Sequence, residues 1–191
     1  MLSVIIPTLN SERALVPTLA MLVPGAMNGF VREVLVCDGG SIDATLEVAD
    51  AAGCTVLASP GPLATRLQAA AKAARSQWLL FLRPGTVLEA TWLDEAARFV
   101  EEVEQAGDAC PAAVFRRSVS ARAAYPAVRE ALSLLGFGLF GRPHPDQGLL
   151  IGARLYRDIG GHRERTADPE ADLLARLGRR RTLMLRSGAR R

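Results

Sequence analysis

The chain has 191 residues, 49% of them hydrophobic and 23% charged, with a formal net charge of +3, which suits one domain (1–191) around a single sizeable core. Cys37, Cys54 and Cys110 are odd in number and lack metal-ligand spacing, which argues against a disulfide framework or zinc site and for a reducing cytoplasm. The longest apolar stretch, 132–140, is too short and glycine-rich to cross a bilayer, and the amino terminus enters a strand with no basic region or cleavage site before it, so a soluble or at most peripheral protein is expected.

Ser3-Val4-Ile5-Ile6-Pro7-Thr8-Leu9-Asn10 is a β-branched apolar run that ends in small and polar residues. This is the pattern of a buried parallel strand delivering its carboxyl end to a ligand site. Leu15, Thr18, Leu19 and Leu22 then fall at helical spacing, closed by Pro24-Gly25. Glu33-Val34-Leu35-Val36-Cys37-Asp38-Gly39-Gly40-Ser41-Ile42-Asp43 repeats the strand-to-turn pattern and leads into a helix over 44–52. A short strand over 55–58 meets the breaker Ser59-Pro60-Gly61-Pro62, an alanine-rich helix follows over 63–75, and Trp78-Leu79-Leu80-Phe81-Leu82 reads as a central strand. Strand and helix alternate four times. That predicts an α/β fold with a mostly parallel central sheet flanked by helices and with ligands at the strands' carboxyl ends.

Beyond Gly85, Trp92, Ala96, Phe99, Val100 and Val103 form one helical apolar face opposite Asp94, Glu95, Glu101 and Glu102. A strand over 112–118, a helix over 123–135, a short strand over 148–151 and a last helix from Asp168-Pro169 to Leu177-Gly178 complete the expectation. Charge is uneven, with 12 Lys and Arg against 15 Asp and Glu in 1–150 but 11 against 5 in 151–191. Residues 179–191 therefore read as a basic tail, either solvated or facing phosphates, anionic lipid or nucleic acid.

The two opening strand-turn motifs resemble inverting family 2 glycosyltransferases of the GT-A (Rossmann-like) fold, with their proline-x-x-asparagine turn after the first strand and aspartate-glycine-glycine/serine-serine-x-aspartate turn after the second. The resemblance is strong over 2–86, the nucleotide-binding half, and looser over 143–178, within an acceptor-side half of 87–178. It implies an enzyme that moves a sugar from a nucleoside-diphosphate-sugar to a hydroxyl acceptor with inversion. By that resemblance Pro7, Thr8 and Asn10 line the base and ribose, Asp38 anchors the base beside Gly39, and Arg66 faces the diphosphate. Helix capping remains the competing reading for Asn10 and the favoured one for Asp43.

The departure from the family lies in Leu82-Arg83-Pro84-Gly85-Thr86, where Arg83 and Gly85 stand in place of an aspartate-x-aspartate motif. The manganese or magnesium usual in the family lacks its ligands here. Arg83, with Arg66, could supply positive charge directly. Loss of catalysis, leaving a nucleotide- or protein-binding module, is equally consistent. Glu170 aligns with the family's base and is the candidate general base, with Asp168 and Asp172 in reserve. The same residues also describe an ordinary helix start, with Asp168 as N-cap, Pro169 at the first position and Glu170 in the first turn.

Asp146-Gln147-Gly148 matches a tripeptide near the acceptor pocket of short family members, and otherwise reads as a solvent-facing turn. A lipid-linked acceptor on an anionic membrane would suit the basic tail; nucleic acid is not expected, and a homodimer stays open. His144 and His162 look isolated. The glycine spacing over 136–141 mimics a dinucleotide fingerprint, but Pro143 and Pro145 follow where that motif needs a helix. Hydrolase and triphosphatase readings lack their nucleophile elbow and lysine-bearing phosphate loop.

Overall fold

The computed structural model describes residues 1–107, 111–117 and 143–191. In chain order these form β1 (Leu2–Thr8), α1 (Glu12–Met27), β2 (Val31–Asp38), α2 (Thr45–Ala51), β3 (Thr55–Ala58), α3 (Leu63–Ala73), β4 (Trp78–Phe81), β5 (Val87–Leu88), α4 (Trp92–Ala106), β6 (Ala112–Arg117), β7 (Leu149–Gly152), α5 (Ala153–Asp158), α6 (Pro169–Leu177) and β8 (Thr182–Arg190). The described strands make one sheet in the order β3-β2-β1-β4-β7-β6-β8-β5.

Every residue of β1 is buried, because helices cover both faces of the sheet. Alternation along the strand divides the core: Leu2, Val4 and Ile6 join Leu15, Leu22, Trp92 and Phe99 on one face, while Ile5 joins Leu35, Leu67, Phe81, Tyr156 and Leu173 on the other. β1 pairs in parallel with β2 and β4, and β2 with β3, so these four strands end on the same edge. Pro7 is tolerated in this central strand because pairing with β4 stops at Ile5, where the missing N–H breaks no ladder bond.

The α/β architecture is the expected one. Its far side adds antiparallel pairings, β7 to β4 and β6 and β5 to β8, beside a parallel β6–β8 pair. Residues 182–190 of the stretch read as a basic tail form β8, held between β6 and β5 by the ladder and by the Ser187 and Gly188 N–H groups, which donate to the Glu95 and Glu89 carboxylates. α1 runs past Pro24-Gly25 to Met27, since the bare Gly25 backbone packs against Val31 and Trp92. The helix expected over 123–135, the glycine run 136–141 and Cys110 lie outside the described residues.

Candidate active site at the carboxyl ends of the first, second and fourth strands

The turns after β1 and β2 are bonded to each other at almost every residue. Asp38 is buried, and its Oδ1 accepts from the Thr8 hydroxyl at 2.8 Å and the Ser41 hydroxyl at 2.5 Å. Its Oδ2 accepts the Gly40 and Ser41 N–H groups, both at 2.8 Å. Burial opposes the charge, but these bonds from Ser41, Thr8 and Gly40 hold the carboxyl below its ordinary pKa. An ionised carboxylate has about four acceptor positions, so Asp38 is saturated within the protein and shapes the turn pair as a unit.

Asn10 closes the other side. It stands in the left-handed region at φ 49°, which Asn tolerates better than most residues; its N–H donates to the Ser41 hydroxyl and its side-chain oxygen accepts the Ile42 N–H. The Ser11 N–H donates to Thr45 Oγ1 and the Glu12 N–H to Asp43, so Asp43 ties the start of α1 to the entry of α2. Pro7 is buried in β1, level with Cys37.

Arg66 lies beneath these turns. One guanidinium nitrogen donates to the Thr8 and Cys37 carbonyls, both at 2.9 Å, which pins the ends of two adjacent parallel strands. Gly39 is required for this approach, because a Cβ there would sit 2.9 Å from Arg66 Cζ. Arg66 Nε is buried with no partner among the described residues. Burial pushes the Cys37 thiol up to about 12, with Glu170 and Asp38 adding to the shift against Arg66.

β4 runs on through Leu82 to Arg83, whose guanidinium sits among three carboxylates. It reaches Glu170 Oε2 at 2.6 Å, Asp146 Oδ1 at 3.3 Å and Asp168 Oδ2 at 3.3 Å. Asp146 Oδ1 also accepts from Arg191 at 2.9 Å, and His144 Nδ1 stands 3.4 Å from Asp146 Oδ2. Glu170 is buried, and burial pushes its carboxyl up against the downward pull of Arg83. Asp168 caps α6 by accepting the Glu170 and Ala171 N–H groups; those bonds and Arg83 outweigh its burial and hold it low. The helix start is thus an ordinary one capped by Asp168, and Glu170 in its first turn is buried.

The structure brings Arg83, Asp146, Asp168 and Glu170 together. It leaves Asp172 out, paired with Arg176 at 2.8 Å. Gln147 is buried with both polar atoms engaged, donating to the Phe115 carbonyl and accepting the His144 N–H, so it anchors the turn that carries Asp146. Arg191 was not among the expected residues, and its place at the end of β8 carried no local signal. His162, expected to be isolated, is buried against Phe81 with Nδ1 2.8 Å from the Tyr156 hydroxyl. A small apolar gap lined by Phe81, Pro145, Leu149, Leu174, His162 and Glu170 separates it from the site. A wider groove between α4 and β8, lined by Phe99, Met184 and Arg186, lies away from these strand ends and holds none of the residues above.

These residues do not fit a divalent cation. The guanidinium of Arg83 stands among the carboxylates that would otherwise face one, and among the described residues no group of three or more His, Cys, Asp or Glu side chains could hold a metal.

The same fold recurs in solved glycosyltransferase structures. Staphylococcus aureus TarS 1–349 superposes with a TM-score of 0.73 at 20% identity, over 99% of this chain and 59% of that one. Its complex with UDP gives 0.72 at 18% identity, over 100% and 60%. Mycobacterium tuberculosis glucosyl-3-phosphoglycerate synthase in complex with Mn2+, UDP and glucosyl-3-phosphoglycerate gives 0.65 at 20% identity, over 96% and 68%. The chain thus spans about 60% of the TarS fragment. Sequence comparison with curated proteins finds no match. The family model described as "Glycosyl transferase family 2" matches residues 3–138, well over half of the sequence, and the chain belongs to that family.

Proposed function

We propose that the protein is an inverting glycosyltransferase that moves a sugar from a nucleoside diphosphate to a hydroxyl acceptor. One observation carries this reading: the buried Glu170 carboxylate meets Arg83 at the end of β4, next to the strand whose end carries Thr8 and the Asp38-centred turn pair. That the TarS and M. tuberculosis structures were solved with UDP supports a nucleotide ligand.

In the proposed step the acceptor oxygen bonds to the anomeric carbon as the bond from that carbon to the phosphate oxygen breaks. The electron pair leaves with the diphosphate, and Glu170 takes the hydroxyl proton. Negative charge grows on the leaving phosphate, and the fixed guanidinium of Arg83 stabilises it. The turn pair shapes the nucleoside pocket through the backbone of Thr8, Gly39 and Gly40, with Asp38 and Arg66 holding that backbone in place.

The test is nucleotide release from UDP-, GDP-, CDP- and dTDP-linked sugars, with the product anomer read by NMR. Release with inversion is expected. Retention of configuration, or no release from any donor, would remove the assignment. Arg83 and Gly85, standing in place of two carboxylates, favour a second reading, a nucleotide-binding member without turnover. Binding without release in the same assay would identify it.

A lipid-linked acceptor is part of the proposal. Arg179, Arg180 and Arg181 form an exposed turn ahead of Leu183 and Met184, which are 53% and 40% exposed. Basic and apolar side chains side by side suit an anionic bilayer surface. Equal recovery in the supernatant with neutral and anionic liposomes would sink this part alone.

A further inference from the structure

Family 2 enzymes resembling this chain place two carboxylates after the central strand, where Arg83 and Gly85 stand here. The two replacements are structurally related. Gly85 has φ +88°, and a Cβ there would lie 3.7 Å from Arg191 Cγ and 3.9 Å from Arg191 Nε. The side chain of Arg191, delivered by the far end of β8, therefore lies along the position a second carboxylate would occupy. β8 is brought there by its antiparallel pairing with β5, in which Arg190 is level with Val87.

Arg83 and Arg191 are joined by one atom. Asp146 Oδ1 accepts from Arg83 at 3.3 Å and from Arg191 at 2.9 Å. Two guanidinium groups on one carboxylate oxygen are held at a fixed separation despite their like charge. Among the described residues Arg191 makes only this ion pair, through Nη1, and its side chain, with five N–H donors, is 49% exposed.

We propose that Arg83 and Arg191, bridged by Asp146, together hold the diphosphate of the nucleotide donor and supply the two positive charges that a divalent cation would bring. This rests on the donor-binding reading above. The planar fork of an arginine matches two phosphate oxygens at once, and two forks cover both phosphates. Asp146 then acts as a positioning residue. Its contacts are the arginines and His144, and it sets the spacing of the clamp. Arg66, with one nitrogen committed to the Thr8 and Cys37 carbonyls, holds the strand ends and is not the second arm of the clamp.

The test is calorimetric titration of UDP, GDP, CDP and dTDP into the wild-type protein, Arg191→Gln and Arg83→Gln, each in EDTA and in manganese. The nucleoside of the best ligand serves as the phosphate-free control. Wild-type affinity for the diphosphate is expected to be the same in both media. Arg191→Gln is expected to weaken it about tenfold to a hundredfold, with nucleoside affinity and Tm unchanged. Arg191 is exposed at the end of a strand, so its replacement leaves the core intact even if Arg83→Gln disturbs Glu170. Unchanged diphosphate affinity in Arg191→Gln, an equal loss of nucleoside affinity, or wild-type binding that needs manganese would each overturn the arginine pair while leaving the donor site standing. No binding of any of the four diphosphates in either medium would overturn the donor reading and this inference with it.

Discussion

Arg83 and Glu170 are 87 residues apart in sequence and 2.6 Å apart in space. The contact joins the end of β4 to the first turn of α6 and couples the proposed phosphate-binding arginine to the proposed base. While Arg83 is bonded to Glu170 it holds the carboxylate's charge and keeps it a weaker base. When a diphosphate shares the Arg83 guanidinium, that restraint weakens.

Replacing Glu170 by Gln separates the two roles. Transfer is expected to fall by about a hundredfold to ten-thousandfold, the usual contribution of a general base. UDP affinity is expected to rise severalfold, because Arg83 loses a charged competitor. Turnover and calorimetry on the same preparation check this, and unchanged turnover would take Glu170 out of the mechanism.

Asp38→Asn tests the turn pair. The amide nitrogen cannot accept from Gly40 and Ser41, so the variant is expected to lose about 3 kcal/mol and, for a chain of this size, about 6–12 °C in Tm. The sign with pH follows from the lowered pKa of Asp38: its stabilisation is complete above the unfolded carboxyl value and is lost as pH falls through the folded one. The variant's Tm should therefore depend less on acid than the wild type's. Parallel acid profiles would contradict the buried, four-bonded carboxylate.

His162 gives a second acid-sensitive element at higher pH. Burial, with Arg176 assisting, lowers its pKa from 6.5 to about 3, so the unfolded chain takes up a proton that the folded one refuses. Stability is expected to decline as pH falls from about 6.5 toward about 3. Urea midpoints should show this slope, and His162→Phe should remove it at the cost of the Tyr156 hydrogen bond. A His162 ring seen by NMR to titrate near pH 6.5 would contradict the buried neutral form.

Gly39→Ala probes the close approach of Arg66. The added methyl would meet the guanidinium at 2.9 Å, and displacing it releases the carbonyls of Thr8 and Cys37. A loss of about 1–3 kcal/mol is expected, with weaker nucleotide binding. Urea unfolding and calorimetry read the two effects.

The first half of the chain was legible in the residues themselves because its signals are local. A buried strand announces itself by a β-branched run, as in Val4-Ile5-Ile6, and its end by Asn10, Gly39 and Gly40. The start of α6 was equally plain, since Asp168, Pro169 and Glu170 are a cap, a fixed φ and a first-turn acid in succession. Position along a strand is enough to put Thr8 and Asp38 at one edge once β1 and β2 are parallel neighbours.

What those side chains do there was decided by hydrogen-bond partners that only the folded turns and strands bring into place, some local and some distant in sequence. Asp38 looked like a ligand contact and is saturated by Thr8, Gly40 and Ser41; Arg66 looked like a phosphate contact, and one of its nitrogens is taken up by carbonyls from two strands. β8 read as part of a basic tail because arginines hide a strand whose partners, β6 and β5, come from far upstream. Arg191 therefore reached the site only through sheet pairing. Amino-acid order fixes the elements and their turn chemistry through short-range sterics and hydrogen bonding, whereas the charge balance around Arg83 depends on which side chains the folded sheet brings within 4 Å of it.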